Sequence, residues 1–160
     1  MKLSTKGRYG VRLMVDLALH YGVRLMVDLA LHYGEGPVLL REIAQRQEIS
    51  EKYLWHLINP LKGAGLITAT RGMNGGYVLA RPPAEITMKA ILQSSEGSLC
   101  LVDCVETPST CVRAPICATR DMWTEISDSI NKVLTSTTLA DMVERQKAKK
   151  ENLTSDNYSI

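Results

Sequence analysis

The chain has 160 residues, 45% of them hydrophobic and 22% charged. That is enough for one buried core without staples, as one domain or one domain with an appended helix, and it excludes a disordered chain. The net charge of +2 hides an asymmetry: residues 1–82 carry 11 Lys/Arg and 6 Asp/Glu, residues 83–160 carry 8 and 11, so the front suits a polyanion and the rear does not.

The first eight residues, MKLSTKGR, are basic, but Arg12 and Asp16 interrupt any apolar stretch that follows. No secretory leader is expected, nor is a membrane span, because no apolar run approaches ~18–20 residues. A cytosolic protein with reduced thiols is the expectation.

Residues 9–20, YGVRLMVDLALH, recur unchanged as residues 21–32. Solenoid periods are longer and degenerate, so the repeat reads as a recent duplication or an error in the sequence. Each copy has helical spacing; Val11, Met14, Val15, Ala18 and Leu19 form one apolar face in the first. Twelve residues turn that face by about 120° and ~18 Å, so both stripes cannot meet one core along a straight helix. The expectation is one long, kinked first helix, or a poorly packed first copy.

Gly34-Glu35-Gly36-Pro37 ends this region, and Leu39 to Gln47 follows as a short amphipathic helix. Glu48-Ile49 forms a turn. Ser50 caps a helix from Glu51 to about Lys62, with Leu54, Leu57, Ile58 and Leu61 on its apolar stripe and Pro60 bending or shortening its last turn. Two helices so joined are a helix-turn-helix. Leu66–Thr70 and Tyr77–Ala80 read as strands around the turn RGMNGG. A helix-turn-helix followed by a glycine-tipped hairpin is a winged helix, and 1–83 is assigned to it.

The segment 84–118 holds a helix from Met88 to about Ser95, capped by Thr87, and then a cysteine loop. The segment 119–148 is assigned to dimerisation. It holds a long helix from Thr119 to about Thr135 and a short one from Thr138; Met122, Trp123, Ile126, Ile130, Val133 and Leu134 form the long helix's stripe. The residues 149–160 are expected to be a flexible tail. The fold class is mainly α with a small β-hairpin wing.

All four cysteines, Cys100, Cys104, Cys111 and Cys117, lie within eighteen residues. Thiolates so gathered suit a soft metal or an iron–sulfur cluster. The tight C-x2-4-C knuckles usual in structural zinc sites are missing, although Cys100 and Cys104 can form half of one. A metal-free thiol switch and incidental thiols are the other readings.

The residues MKLSTKGRYG, EIAQRQEISEKYL, RGMNGGYVLARP, the three later cysteines and TLADMV together resemble the IscR/CymR/NsrR (Rrf-two) family of bacterial winged-helix regulators. The resemblance implies a dimeric regulator, with the recognition helix in the major groove and the wing in the minor groove of a double-stranded operator. It implies that Cys104, Cys111 and Cys117 bind a 2Fe–2S or 4Fe–4S cluster whose state alters DNA binding. The chain departs from the pattern at Arg120, where IscR has a ligating histidine; at Arg8, where other members have an acidic ligand; and at Glu48, where the turn glycine is usual. The fourth ligand is left open, with Cys100 a candidate. Trp55 replaces an acidic residue of the recognition helix, so the operator preference of IscR does not carry over.

Within this reading Ser50, Lys52, Tyr53, Trp55 and His56 face DNA from the recognition helix, and Arg71, Gly72, Asn74, Gly75 and Gly76 from the wing. Lys2, Thr5, Lys6 and Arg8 brace the phosphates. A bland alternative makes the polar helix face a solvated surface and the glycines a tight turn. No catalytic triad, Walker loop or dinucleotide fingerprint is present, so neither an enzyme nor a small-molecule substrate is expected. The function expected is a cluster-controlled repressor. The alternatives are a cluster-free regulator switched by thiol oxidation or a protein partner, and a small electron-transfer protein.

Overall fold

The computed structural model describes residues 20–72 and 75–156, with side chains to residue 153. The residues 9–19, which carry most of the first repeat copy, lie outside that range, as do Lys2, Thr5, Lys6, Arg8 and Asn74. The expectations placed on them, including a kinked long helix, are not addressed by the described residues.

Helix α1 is described over 20–31, so the second repeat copy builds it. Its Leu25, Met26 and Leu29 are buried at spacings of one, three and four, the face of an amphipathic helix. Gly22 is buried too, with Ser95 Oγ 3.7 Å from where a Cβ would stand, an ordinary contact. Helix α2 spans Leu40–Gln47 and α3 spans Glu51–Gly63. The turn between them puts Glu48 in the left-handed region, at φ 55° and ψ 43°. This is the strain expected where glycine is replaced. Ser50 caps α3 by accepting from the Tyr53 N–H at 3.2 Å. Pro60 does not end α3 early. The helix continues to Gly63, and the Ala64 N–H reaches the Pro60 carbonyl at 2.9 Å.

Strands β1 (Ile67–Thr70) and β2 (Gly76–Leu79) pair antiparallel, with Ile67 opposite Leu79 and Thr70 opposite Gly76. Val38 adds a single bridge to Tyr77, which the sequence did not signal. This bridge explains Gly76. A Cβ there would stand 2.5 Å from the Val38 carbonyl oxygen, closer than any side chain tolerates.

Helix α4 (Met88–Glu96) is capped by Thr87, whose hydroxyl accepts from the Ala90 N–H. The cysteine segment is not irregular throughout. It carries a one-turn helix, α5 (Asp103–Glu106), and 3-10 turns at Pro108–Thr110 and Ala114–Ile116. Helices α6 (Ala118–Ser136) and α7 (Leu139–Asp156) follow. A reciprocal cap separates them: the Thr138 N–H donates to Asp141 at 2.7 Å, and the Asp141 N–H donates to the Thr138 hydroxyl at 3.2 Å. The second helix, expected to be short, runs to Asp156 and takes in residues 149–156 of the expected 149–160 tail, while 157–160 lie outside the described residues. The segment KAKKENL consists mostly of strong helix formers, and polarity alone does not fray such a run.

The core joins α1, α2, α3, the hairpin and α4, with Leu139 of α7 fully buried at its edge. Backbone bonds from Met88 N–H to the Thr137 carbonyl and from Leu139 N–H to the Ile86 carbonyl tie the start of α7 to that of α4.

Candidate DNA interface and cysteine loop

In α3 the buried residues Leu54, Leu57, Ile58 and Leu61 form one stripe. Lys52, Trp55, His56 and Asn59 form a second at the same spacing, displaced by two residues, or about 200° around the helix. All four are exposed, Trp55 to 55%. A helix anchored by one face thus offers a cationic, aromatic and amide stripe to solvent. Tyr53, at about 100° from either stripe, does not join it. Its ring meets Tyr21 edge-on at 5.8 Å, and its hydroxyl is buried without a partner among the described residues. Burial pushes its pKa up. Tyr53 therefore packs α3 against α1 and stands to one side of the exposed stripe. Ser50 is exposed, with its oxygen engaged in the cap.

Arg71 and Gly72 are exposed where β1 ends. Gly72 has φ 117°, a conformation open to glycine, and a Cβ on Gly75 would collide with the Thr70 carbonyl. These glycines are required by the chain path itself, whatever else they touch.

Periodicity assigns no role to Asp28 of α1. It is 1% exposed and accepts from Arg46 at 2.6 Å and from Gln47 at 2.8 Å. The His32 ring lies 2.8 Å from the Asp28 carbonyl oxygen. Asp28 locks α1 to α2 and so fixes the helix-turn-helix. The signal was there: a lone carboxylate within an apolar helical face.

The four cysteines are free thiols, each partly exposed. As folded, no three Cys, His, Asp or Glu groups converge on a metal-binding point among the described residues. The donor chemistry of Cys104, Cys111 and Cys117 suits an iron–sulfur cluster, but their placement does not form its site. Arg120 has a structural task instead of a ligand's: its Nε donates to the Cys104 carbonyl at 2.9 Å, fastening the loop to the start of α6. Cys117 is the N-cap residue of α6. The Thr119 hydroxyl, 3.0 Å from its sulfur, and the Arg120 backbone N–H hold its pKa below the usual thiol range. A thiolate so stabilised is the reactive form. Cys100 donates to the Val102 carbonyl at 3.2 Å.

The stripe expected on α6 is only partly covered: Leu134 packs against the core, and Trp123 and Ile130 are half-buried. Met122, Ile126 and Val133 are 46%, 36% and 61% exposed, and Ser127 is the one buried residue of the helix. No helix among the described residues is long and apolar enough to cross a membrane.

A family model described as iron-dependent transcriptional regulator, Rrf2, matches residues 18–145. The regulator CymR of Bacillus subtilis is 39% identical over 142 residues, covering 89% of each chain. Its solved structure, described as the global cysteine regulator, superposes with a TM-score of 0.69 at 36% identity, over 91% of this chain and 98% of that one. The regulator IscR of Serratia proteamaculans is 35% identical over 91% of this chain and 81% of its own. The structure of T. potens IscR gives a TM-score of 0.67 at 40% identity, over 91% of this chain and 88% of that one.

Proposed function

The chain belongs to the Rrf2 family of transcriptional regulators, and on that premise we propose a homodimeric, cytosolic repressor whose hold on its operator is set by an iron–sulfur cluster on Cys104, Cys111 and Cys117. The observation that carries this reading is the pairing of an exposed Lys52-Trp55-His56-Asn59 stripe with a loop of free thiols on one small chain. Similarity to IscR proteins and the iron-dependent description of the family support the cluster.

The DNA contacts proposed are Lys52, Trp55 and His56 in the major groove and Arg71 with the wing glycines in the minor groove. Ser50, Asn74 and the basic residues Lys2, Lys6 and Arg8, with Thr5, serve the phosphates. The dimer rests on α6. Met122, Ile126 and Val133 stand exposed along one side of α6, and apolar side chains left open in this way suit an interface. A second copy covers them in this reading.

A second reading is a cluster-free switch operated by thiol oxidation. It is favoured by the acidified Cys117 thiol, by the absence of a three-ligand group among the described residues, and by similarity to CymR. Anaerobic purification with iron and sulfide analysis separates the two. The cluster reading expects visible colour that is lost in Cys104→Ala, Cys111→Ala and Cys117→Ala; colourless, iron-free protein after reconstitution removes it in favour of the thiol switch. An electron-transfer role leaves the wing and the family match without a purpose.

A further inference from the structure

Of the chain's two tryptophans, Trp123 is half-buried in α6, whereas Trp55 stands 55% exposed in the second turn of α3. Its indole makes no ring stack, cation contact or hydrogen bond among the described residues. A large aromatic left open in this way belongs to a binding surface more often than to a bare one. Helical spacing puts Trp55 about 60° around the axis from Lys52 and about 40° from Asn59. The three therefore share the side of α3 turned away from buried Leu54, Leu57, Ile58 and Leu61. Within that side Lys52 brings charge and Asn59 an amide, and Trp55 brings the one large apolar surface.

On the reading that α3 enters the major groove, we propose that Trp55 is a specificity-determining residue and that the base it selects is thymine. An indole offers one N–H donor and a hydrocarbon edge, and it accepts nothing. In the major groove only thymine shows an acceptor, O4, beside an apolar group, the 5-methyl. Guanine shows two acceptors and no methyl. Cytosine and adenine each show an amino donor, which an indole N–H opposes. Thymine is thus the base that answers both halves of the side chain. Lys52 carries donors without an apolar reading edge, so it suits guanine or phosphate oxygens and leaves the methyl to Trp55.

The test uses the full-length protein and a duplex library with about thirty randomised base pairs, room for two half-sites one helical turn apart. Bound sequences are enriched in parallel by the parent and by Trp55→Ala. The parent is expected to fix thymine at one position of each half-site, and Trp55→Ala to lose that preference while keeping the others. In the parent's enriched duplex each thymine is then replaced in turn by uracil, which removes only the methyl. At one position the parent's affinity is expected to fall about fourfold per half-site, as burial of one methyl group implies. Trp55→Ala is expected to bind the two duplexes equally. The uracil series on the parent needs no variant, so it decides the matter even if Trp55→Ala does not fold. The proposal is overturned if no thymine is sensitive to loss of its methyl, or if Trp55→Ala responds to the same methyl as the parent. It is overturned too if Trp55→Ala binds every sequence uniformly more weakly, which marks a backbone contact. A parent that enriches no sequence removes the DNA reading and this assignment together; enrichment without a methyl-sensitive thymine removes this assignment alone.

Discussion

Glu48 sits at φ 55° in the turn between α2 and α3, where a Cβ is disfavoured by about 1–2 kcal/mol relative to glycine. Glycine also loses more entropy on folding, which offsets part of that gain. Glu48→Gly is therefore expected to stabilise the protein by about 0.5–1 kcal/mol in chemical denaturation; an unchanged or lowered midpoint would show the turn to be relaxed. This strain was legible in the sequence, because a helix-turn-helix corner asks for glycine and shows Glu. Tyr53 was not legible in the same way. Periodicity identifies the buried stripe of α3 and its opposite, but a residue on the flank goes wherever a neighbour accepts it, and here Tyr21 does.

At the scale of elements, the contact between α1 and α2 turns on one buried carboxylate. Asp28→Ala leaves Arg46 and Gln47 without their acceptor and is expected to cost about 2–3 kcal/mol, less than a fully buried pair because Arg46 is partly solvated. Equilibrium unfolding measures it, and a change within 0.5 kcal/mol (the usual surface range, roughly) would reduce the pair to decoration. The α6–α7 junction carries a pH signature. The backbone N–H and hydroxyl of Thr138 hold the Asp141 carboxyl below its ordinary pKa. A lowered folded pKa contributes stability above the unfolded value, about 3.9, and loses it as pH falls through the folded value. Asp141→Asn is thus expected to be less stable than the parent at pH 7, with the difference shrinking as pH falls below about 3.9; a pH-independent difference would contradict the cap. The Thr138-Leu-Ala-Asp141 box could be read from sequence. The length of α7 could not, because a polar terminal run leaves no periodic stripe to mark its end and helix propensity decides where it frays. The turns inside the cysteine loop escaped because pieces of three or four residues leave no periodic trace.

Across the whole molecule, the winged-helix plan followed from alternation, turn residues and glycine placement, and the family match agrees with it. The second repeat copy supplies the core face of α1, and the family match begins only at residue 18, as a helix able to present one stripe to one core requires. The cysteines were legible as a set of donors but not as a site, since sequence spacing does not say whether thiols meet. The α6 stripe was legible as apolar, while its division into exposed Met122, Ile126 and Val133 and a Leu134 that packs on the core appears only in the folded chain.

The central claim is that the condition of the cysteine loop changes the grip of α3 and the wing on a duplex. The direct measurement is operator affinity at one fixed salt concentration for three preparations: reconstituted with iron and sulfide, oxidised, and stripped and reduced. The account predicts that at least two of the three differ by about tenfold or more, a coupling of roughly 1.4 kcal/mol. Equal affinity in all three would contradict it.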